Sequence, residues 1–218
     1  MFTIPVPANT LGPDACHSKY GEVIVLIAGL GTQMIRWTTP FCAELVALGY
    51  RVVRFDNRDA GYSTHFDSHP AVDFGALAAA LQAGQRPEVP YTLYDTAADA
   101  VGLMDALGIG RVHIVGRSMG GMIAQIMASE HKDRVLSLTS IMSSTRNPAL
   151  PEAAPDAMAT MMQPMPDPFS DRPGFLSRSS AFARRIAGTG YAVDEGAHRA
   201  QVLEELDRGY DPAGQTVR

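Results

Sequence analysis

Residues 112–123 constrain the fold most, because an apolar run meets a serine between two glycines and then becomes apolar again at helical spacing. The centre of this stretch is Gly116-x-Ser118-x-Gly120, the pattern of a nucleophile elbow, in which a strand stops, the backbone turns sharply and a helix begins. The glycines remove the Cβ atoms that would clash in so tight a turn. The motif therefore predicts an exposed hydroxyl at Ser118, although an ordinary βα turn of a parallel sheet is the alternative interpretation.

Length and composition are typical of a globular chain. The 218 residues predict one domain, or one domain with a small appendage. The formal net charge of -5 argues against nucleic acid or an anionic membrane as the main partner. No apolar run is long enough to span a bilayer, and the N-terminus lacks the pattern of a secretory signal. Cys16 and Cys42 are too few for a disulfide framework, so a reduced, cytoplasmic protein is expected.

Apolar runs alternate with helical patterns through the first two thirds of the chain. The predicted strands are residues 23–28, residues 51–55, the run that leads into Gly116, and residues 135–142. The predicted helices are residues 40–48, 95–107 and 119–129. This alternation predicts the α/β class, with a doubly wound, mostly parallel sheet and right-handed crossovers. Ligands of such sheets bind at the carboxyl ends of the strands, where Gly29, Asp59 and Ser118 fall.

The first predicted helix has clear end signals. Thr39 suits its N-cap, Pro40 its first position and Gly49 the position after its end. Its apolar face is predicted on Phe41, Leu45 and Leu48. Residues 64–92 form a long connection without a regular pattern.

The chain changes character after the last predicted strand. Residues 146–175 are rich in proline and methionine. The prolines argue against regular sheet, and the methionines favour a soft apolar surface. We interpret this region as a helical cap over the strand ends, with a poorly ordered surface excursion as the alternative. The domain prediction is an α/β core at 1–145, a cap at 146–200 and the start of a return helix to the core at 201–218.

A serine nucleophile needs an anion site for its tetrahedral intermediate, and two backbone donors are predicted for it. One is the N–H of the residue after the nucleophile, Met119, and the other comes from the loop after an earlier strand, where Leu30 is the candidate. Gly29 and Gly31 would let this loop approach the substrate carbonyl closely.

The pattern Gly29-x-Gly31 has dinucleotide binding as an alternative interpretation. A strand precedes it, and Asp56 ends the next strand, where a ribose-binding acid would lie. Two features argue against it. Met34 occupies the position of the third glycine, and the next helix begins too late to offer its N-terminus to a pyrophosphate. The sequence has no Walker lysine motif, and its histidines lack metal-ligand spacing, so no metal is predicted.

Taken together, these motifs resemble the α/β-hydrolase family of the esterase type, close to the aclacinomycin methylesterase-like branch. The matching segments are residues 27–32 (IAGLGT), 55–63 (FDNRDAGYS), 116–125 (GRSMGGMIAQ), 141–145 (IMSST) and 208–214 (RGYDPAG). The resemblance implies that Ser118 is the nucleophile, that Leu30 and Met119 are the oxyanion donors and that a cap at 146–200 shapes the pocket, and it implies no cofactor. The methionine-rich cap suggests an apolar substrate, so we expect an apolar small-molecule ester, with a methyl ester as one option. Ala28 departs from the family, in which many members carry histidine before the glycine.

The family pattern is incomplete at the C-terminus. The triad acid and histidine follow later strands in this fold, and no strand pattern follows Tyr210. We therefore expect a C-terminally truncated member that lacks the last strands, with neither triad residue in this chain. Arg58 and Asp59 are predicted to brace their own loop rather than to supply the acid.

The histidines that are present are poor substitutes for the missing base. His131 lies 13 residues beyond Ser118 on one helix, about 20 Å away at the rise of an α-helix. His113, within the strand before Ser118, is predicted to be a core histidine. The other candidates are predicted in a cap helix or a solvated loop: His198 with Asp194 in the first, His65 and His69 in the second.

Three function hypotheses follow for the chain. The first is a serine-dependent hydrolase of carboxylic esters that forms an acyl-enzyme at Ser118. The second is an inactive truncated hydrolase or binding protein that lacks a base. The third is another reaction on the same scaffold, such as perhydrolysis or lactone opening, because a fold does not determine a function.

Overall fold

The computed structural model describes residues 21–66, 74–85, 89–145, 147, 149–151 and 154–212. The chain divides into two compact units. The core unit consists of Met1–Thr145 with Asp211–Arg218, and the second unit of Arg146–Tyr210. Cys16 and His69 lie outside the described residues.

The core unit is built on a parallel sheet of four strands. They are β1 (Val23–Ile27), β2 (Arg51–Arg54), β3 (Val112–Arg117) and β4 (Val135–Ile141). Their order in the sheet is β2-β1-β3-β4, and all neighbours are parallel. The chain therefore switches direction across the sheet between β1 and β3, which is where parallel sheets of this kind bind ligands. The predicted strands are confirmed, each to within a residue of its carboxyl end.

Helices α1 (Thr39–Ala47), α3 (Leu93–Ala106) and α4 (Met119–Glu130) cover the two faces of this sheet, and α2 (Phe74–Gln82) lies in the connection between β2 and α3. One core cluster joins α3 and α4 to alternate residues of the sheet, among them Val25 of β1 and Ile114 of β3. A second cluster on the other face joins Leu26 of β1 to Cys42 of α1. The doubly wound α/β fold is thereby confirmed.

Helix α2 lies inside the connection that was expected to be irregular, so that prediction was wrong for residues 74–82. The segment is rich in alanine and leucine on all sides and lacks the alternation of polar and apolar residues that marks an amphipathic helix. Alanine nevertheless has the highest intrinsic helix propensity, which accounts for a helix without a periodic signal.

Two details of α1 also differ from the prediction. The N-cap is Thr38 rather than Thr39, with the Thr38 hydroxyl accepting from the Phe41 N–H at 3.4 Å. The buried face carries Cys42, which is fully buried, whereas Phe41 and Leu48 are 41% and 74% exposed. Leu45 packs against the cluster that contains Cys42, so the prediction is confirmed for Leu45 and wrong for Phe41 and Leu48.

Helix α3 begins two residues earlier than predicted, behind a capping box. The Asp95 carboxylate accepts from the Thr92 N–H at 2.7 Å, and the Thr92 hydroxyl accepts from the Asp95 N–H at 3.4 Å. This reciprocal pair satisfies two backbone donors at the helix start and so stabilises the register of α3 against the sheet.

The second unit contains α5 (Pro155–Met162), α6 (Arg172–Ile186) and α7 (Glu195–Asp207). Phe175 and Leu176 of α6 pack against Val202 of α7. The two helices are separated by residues 187–194, which include Gly188 and Gly190. Across the described part of the chain, no helix is both long and apolar enough to cross a membrane.

Candidate active site

Ser118 occupies the sharp turn between β3 and α4 with φ 56° and ψ -122°. A positive φ strains the backbone of a residue other than glycine, and such strained residues cluster at functional sites. The Ser118 residue is exposed, and its N–H donates to the carbonyl of Ile141 at the end of β4 at 2.9 Å. The turn thus has the strained geometry and the exposed hydroxyl that the motif predicted.

The two motif glycines allow three segments to meet at this turn. A Cβ on Gly116 would lie 2.1 Å from the Gly120 carbonyl oxygen, and a Cβ on Gly120 would lie 2.2 Å from the Ile27 carbonyl oxygen. Neither distance is possible for a real side chain. Strand β3, the first turn of α4 and the end of β1 are therefore in backbone contact, which only glycine permits.

The loop after β1 runs beside the serine. A Cβ on Gly29 would lie 3.3 Å from the Cβ of Ser118, so this residue lies beside the nucleophile candidate with little room for a side chain. The loop turns at once, with the Thr32 N–H donating to the Gly29 carbonyl at 3.2 Å and Gly31 at φ 58°. Leu30 stands at the tip of the turn and is 39% exposed.

The two donor candidates lie in the segments that flank Ser118. Leu30 follows Gly29 in the loop after β1, and Met119 is the first residue of α4. The N–H groups of the first turn of a helix have no acceptor within that helix, so the Met119 N–H is suited to bind an anion. The arrangement can supply backbone donors to an oxygen placed beside the Ser118 hydroxyl.

Asp56 holds the loop after β1 in place, a role that sequence reasoning missed. Its carboxylate accepts from the Met34 N–H at 2.7 Å and from the Tyr62 N–H at 3.2 Å, and the residue is 3% exposed. The same contacts argue against Asp56 as a ribose-binding acid, because the carboxylate already serves two backbone donors in the interior. The position of Asp56, directly after a strand and before a loop, is the only signal that the sequence offered for this role.

Arg58 and Asp59 brace the loop after β2, as predicted. The Arg58 guanidinium binds the Asp99 carboxylate at 2.7 and 2.8 Å. The Asp59 carboxylate accepts from the Phe66 N–H at 2.7 Å and from the Tyr91 hydroxyl at 2.6 Å. The Arg58 guanidinium also lies over both of these aromatic rings, at 5.2 and 4.8 Å from their centroids.

Two of the described histidines, His113 and His198, are bound to other partners. His113 lies between Glu22 and Ser137, at 3.0 and 2.7 Å, and is half-buried rather than a core residue. In the second unit, the His198 ring lies 3.0 Å from the Ser179 hydroxyl. Asp194, its suggested partner, caps α7 by accepting from the Ala197 N–H at 2.9 Å. Within the described residues of the core unit, no imidazole hydrogen-bonds the Ser118 hydroxyl.

His65 lies between two acceptors of the core unit. Its Nδ1 is 3.2 Å from the Asp211 carboxylate and its Nε2 is 3.0 Å from the Gly61 carbonyl oxygen. Burial is the largest single influence on the pKa of His65 and lowers it, but the two hydrogen bonds and the nearby negative charges together raise it by more. The negative charges of Asp211 and Asp59 act in the same direction, so the pKa lies above its ordinary value of 6.5.

We expect His65→Gln to destabilise the protein more at acidic than at alkaline pH. Because the folded pKa is raised, the protonated ring contributes its full stability below pH 6.5 and loses it as the pH rises through the folded pKa. The measurement is the midpoint of urea unfolding for both proteins at about pH 5.5 and about pH 8.5. Asp211→Asn should show the same trend, and a difference that does not shrink at alkaline pH would contradict the assignment.

In the described part of the chain, no group of three or more His, Cys, Asp or Glu side chains is placed to hold a metal ion. Burial raises the pKa of the Cys42 thiol, which the nearby Arg54 charge only partly offsets. A buried thiol of this kind is inert rather than nucleophilic.

The comparisons with known proteins agree with this geometry. The family model of the alpha/beta hydrolase fold matches residues 22–201, and the chain belongs to that family. The rhodomycin D methylesterase DauP of Streptomyces sp. (strain C5) is 32% identical over 130 residues, which cover 60% of this chain and 38% of that protein. The methylesterase relatives agree with the branch that the motifs indicated.

Two further comparisons give one sequence relative and one solved structure. The putative carbamate hydrolase RutD of Variovorax paradoxus (strain S110) is 33% identical over 54% of this chain and 36% of that protein. The solved structure of 2-hydroxy-6-oxo-6-phenylhexa-2,4-dienoate hydrolase from Rhodococcus sp. strain RHA1 matches 98% of this chain and 69% of that chain, with TM-score 0.58 and 18% identity. This last likeness supports the fold alone. The matches span little more than a third of the length of the curated relatives.

Proposed function

We propose that the protein is a hydrolase of small-molecule carboxylic esters that acts through an acyl-enzyme on Ser118. The observation that carries the proposal is the strained, exposed position of Ser118 against the loop that begins at Gly29. A serine held in such a conformation between β3 and α4 matches the geometry that acyl transfer requires of a nucleophile. The methylesterase names of two relatives support the ester class.

In the proposed reaction, the Ser118 Oγ forms a bond to the carbonyl carbon of the ester. The N–H groups of Leu30 and Met119 donate to the oxyanion of the tetrahedral intermediate. The bond to the alcohol oxygen then breaks, and the alcohol leaves with the proton that the serine gave to a general base. Water releases the acid from the acyl-enzyme in the second half of the reaction.

The general base and the substrate pocket are assigned from the arrangement of the triad and the cap in this fold family. The acid and the histidine of the triad come from loops after later strands in this family, and we assign the proton transfer to a histidine in such a position. Residues 146–200 are assigned to a cap that shapes the pocket, and residues 201–218 to the return to the core. No cofactor, nucleic acid or membrane takes part in the proposed reaction, and the protein is assigned to the cytoplasm.

The test is to trap the acylated serine. The purified protein is treated with p-nitrophenyl butyrate or with an alkyl fluorophosphonate, and the modified peptide is identified by mass spectrometry. We expect one modification per chain, on Ser118. Modification of other residues at the same rate in Ser118→Ala would overturn the assignment.

A second candidate function is a binding protein that keeps the site but does not turn substrate over. It is favoured by one observation, the lack of an imidazole partner for the Ser118 hydroxyl within the described residues of the core unit. A protein of this kind would bind an ester analogue without Ser118 ever being acylated. Calorimetric binding without any covalent modification would therefore favour this candidate over the hydrolase.

A further inference from the structure

The loop after β4 carries a backbone conformation that the mechanism above does not use. In the described part of the chain, three residues other than glycine have a positive φ: Asp59 at 61°, Ser118 at 56° and Met142 at 48°. Each follows the carboxyl end of a strand of the sheet. Asp59 braces its loop and Ser118 forms the elbow, which leaves Met142 without a role. A conformation of this kind persists only where the surrounding structure enforces it.

The residues on either side of Met142 hold it in this conformation, because both contact the nucleophile elbow around Ser118. The carbonyl of Ile141 accepts from the Ser118 N–H at 2.9 Å. On the other side, Ser143 is pressed against the first turn of α4, since a Cβ on Gly121 would lie 2.5 Å from the Ser143 Cβ. By covalent geometry, the Met142 Cα then lies within about 6 Å of the Ser118 backbone nitrogen.

Met142 is nevertheless 63% exposed, although it is a large apolar residue. Strand β3 lies between β1 and β4, so the loops that carry Leu30 and Met142 flank the serine from opposite sides. Both loops present an exposed apolar side chain there. A flexible thioether can adapt to apolar groups of different shape, which suits it to contact a substrate rather than the protein core.

We propose that Met142 forms the wall of the substrate site on the β4 side and contacts the apolar group of the ester. It is thus a specificity-determining residue, and the preferred substrates are esters whose apolar chain extends towards the loop after β4. The inference rests on the proposed ester hydrolysis, because it names which part of the protein selects among the esters.

The test compares two substrates that differ only in acyl chain length. The ratio of kcat/KM for p-nitrophenyl butyrate to that for p-nitrophenyl acetate is measured in the wild type, Met142→Asn and Met142→Leu. Asparagine accepts a positive φ readily, so this variant removes the apolar contact without adding backbone strain. We expect the ratio to fall about fivefold in Met142→Asn and to stay within about twofold of the wild type in Met142→Leu.

Leu48→Ser is the matched control, because Leu48 is also an exposed apolar residue, at 74%, but lies at the end of α1. It should leave the ratio unchanged. Suppose that the wild type shows turnover that depends on Ser118. If Met142→Asn then keeps the wild-type ratio, or if its kcat/KM falls equally for both substrates, the assignment of Met142 to the substrate site is overturned and the proposed function stands. If the wild type shows no turnover that depends on Ser118, the proposed function and this inference are both overturned.

Discussion

Ser118→Ala is expected to lower kcat/KM for p-nitrophenyl butyrate by about 10³-fold or more, to the background of the buffer reaction. Alanine removes the oxygen that forms the acyl-enzyme, and the backbone donors of Leu30 and Met119 cannot replace a nucleophile. The fold should be retained, because the Ser118 N–H that binds the Ile141 carbonyl is still present. The measurements are steady-state kinetics and the circular dichroism spectrum.

The control for this variant is Ser129→Ala on the same helix. Ser129 is an exposed residue near the end of α4, and its hydroxyl donates to the Ile126 carbonyl at 3.3 Å. It lies about 16 Å along the helix from Ser118, so turnover should be unaffected. Turnover that survives Ser118→Ala at the wild-type rate would contradict the proposed nucleophile and would direct attention to another serine.

Gly120→Ala is expected to destabilise the protein by about 4 kcal/mol or more, enough to unfold a domain of ordinary stability. The added Cβ would lie 2.2 Å from the Ile27 carbonyl oxygen and 2.6 Å from that of Ala28. Neither oxygen can move away cheaply, because Ile27 is paired with Gly116 in the ladder between β1 and β3. The measurement is the free energy of unfolding in urea, or the yield of folded protein if none remains.

Gly110→Ala provides the comparison, since a Cβ there would meet no atom within 4 Å. Its effect should stay within about 0.5 kcal/mol. If Gly120→Ala unfolds at the same urea concentration as the wild type, then α4 and β1 are farther apart than described here, and the elbow geometry would have to be revised.

Local patterns were enough to predict the framework of the fold. The apolar runs of β1 to β4 and the glycine-serine-glycine motif at Ser118 depend on residues close together in the chain. Chain order and the right-handed crossover rule then led to a parallel sheet. The elbow was predictable for the same reason, because a sharp strand-to-helix turn requires particular residue types within five positions.

Helix faces were less predictable, because several residues of one helix are equally apolar. Phe41 and Leu48 looked as suitable for the core as Leu45, yet the sheet covers Cys42 instead. The choice depends on the shape of the surface opposite α1, which residues far along the chain provide. Helix α2 was missed because its propensity comes from alanine rather than from periodicity.

The sequence by itself determined the α/β class, the parallel sheet and the position of the nucleophile candidate. Only the tertiary structure decided the contacts between distant segments: Asp56 holding the loop after β1, His65 paired with Asp211, and Met142 strained beside Ser118. The physical reason is the distance along the chain over which each contact acts. His65 and Asp211 are 146 residues apart, and no local pattern of residues encodes a hydrogen bond that folding alone brings within reach.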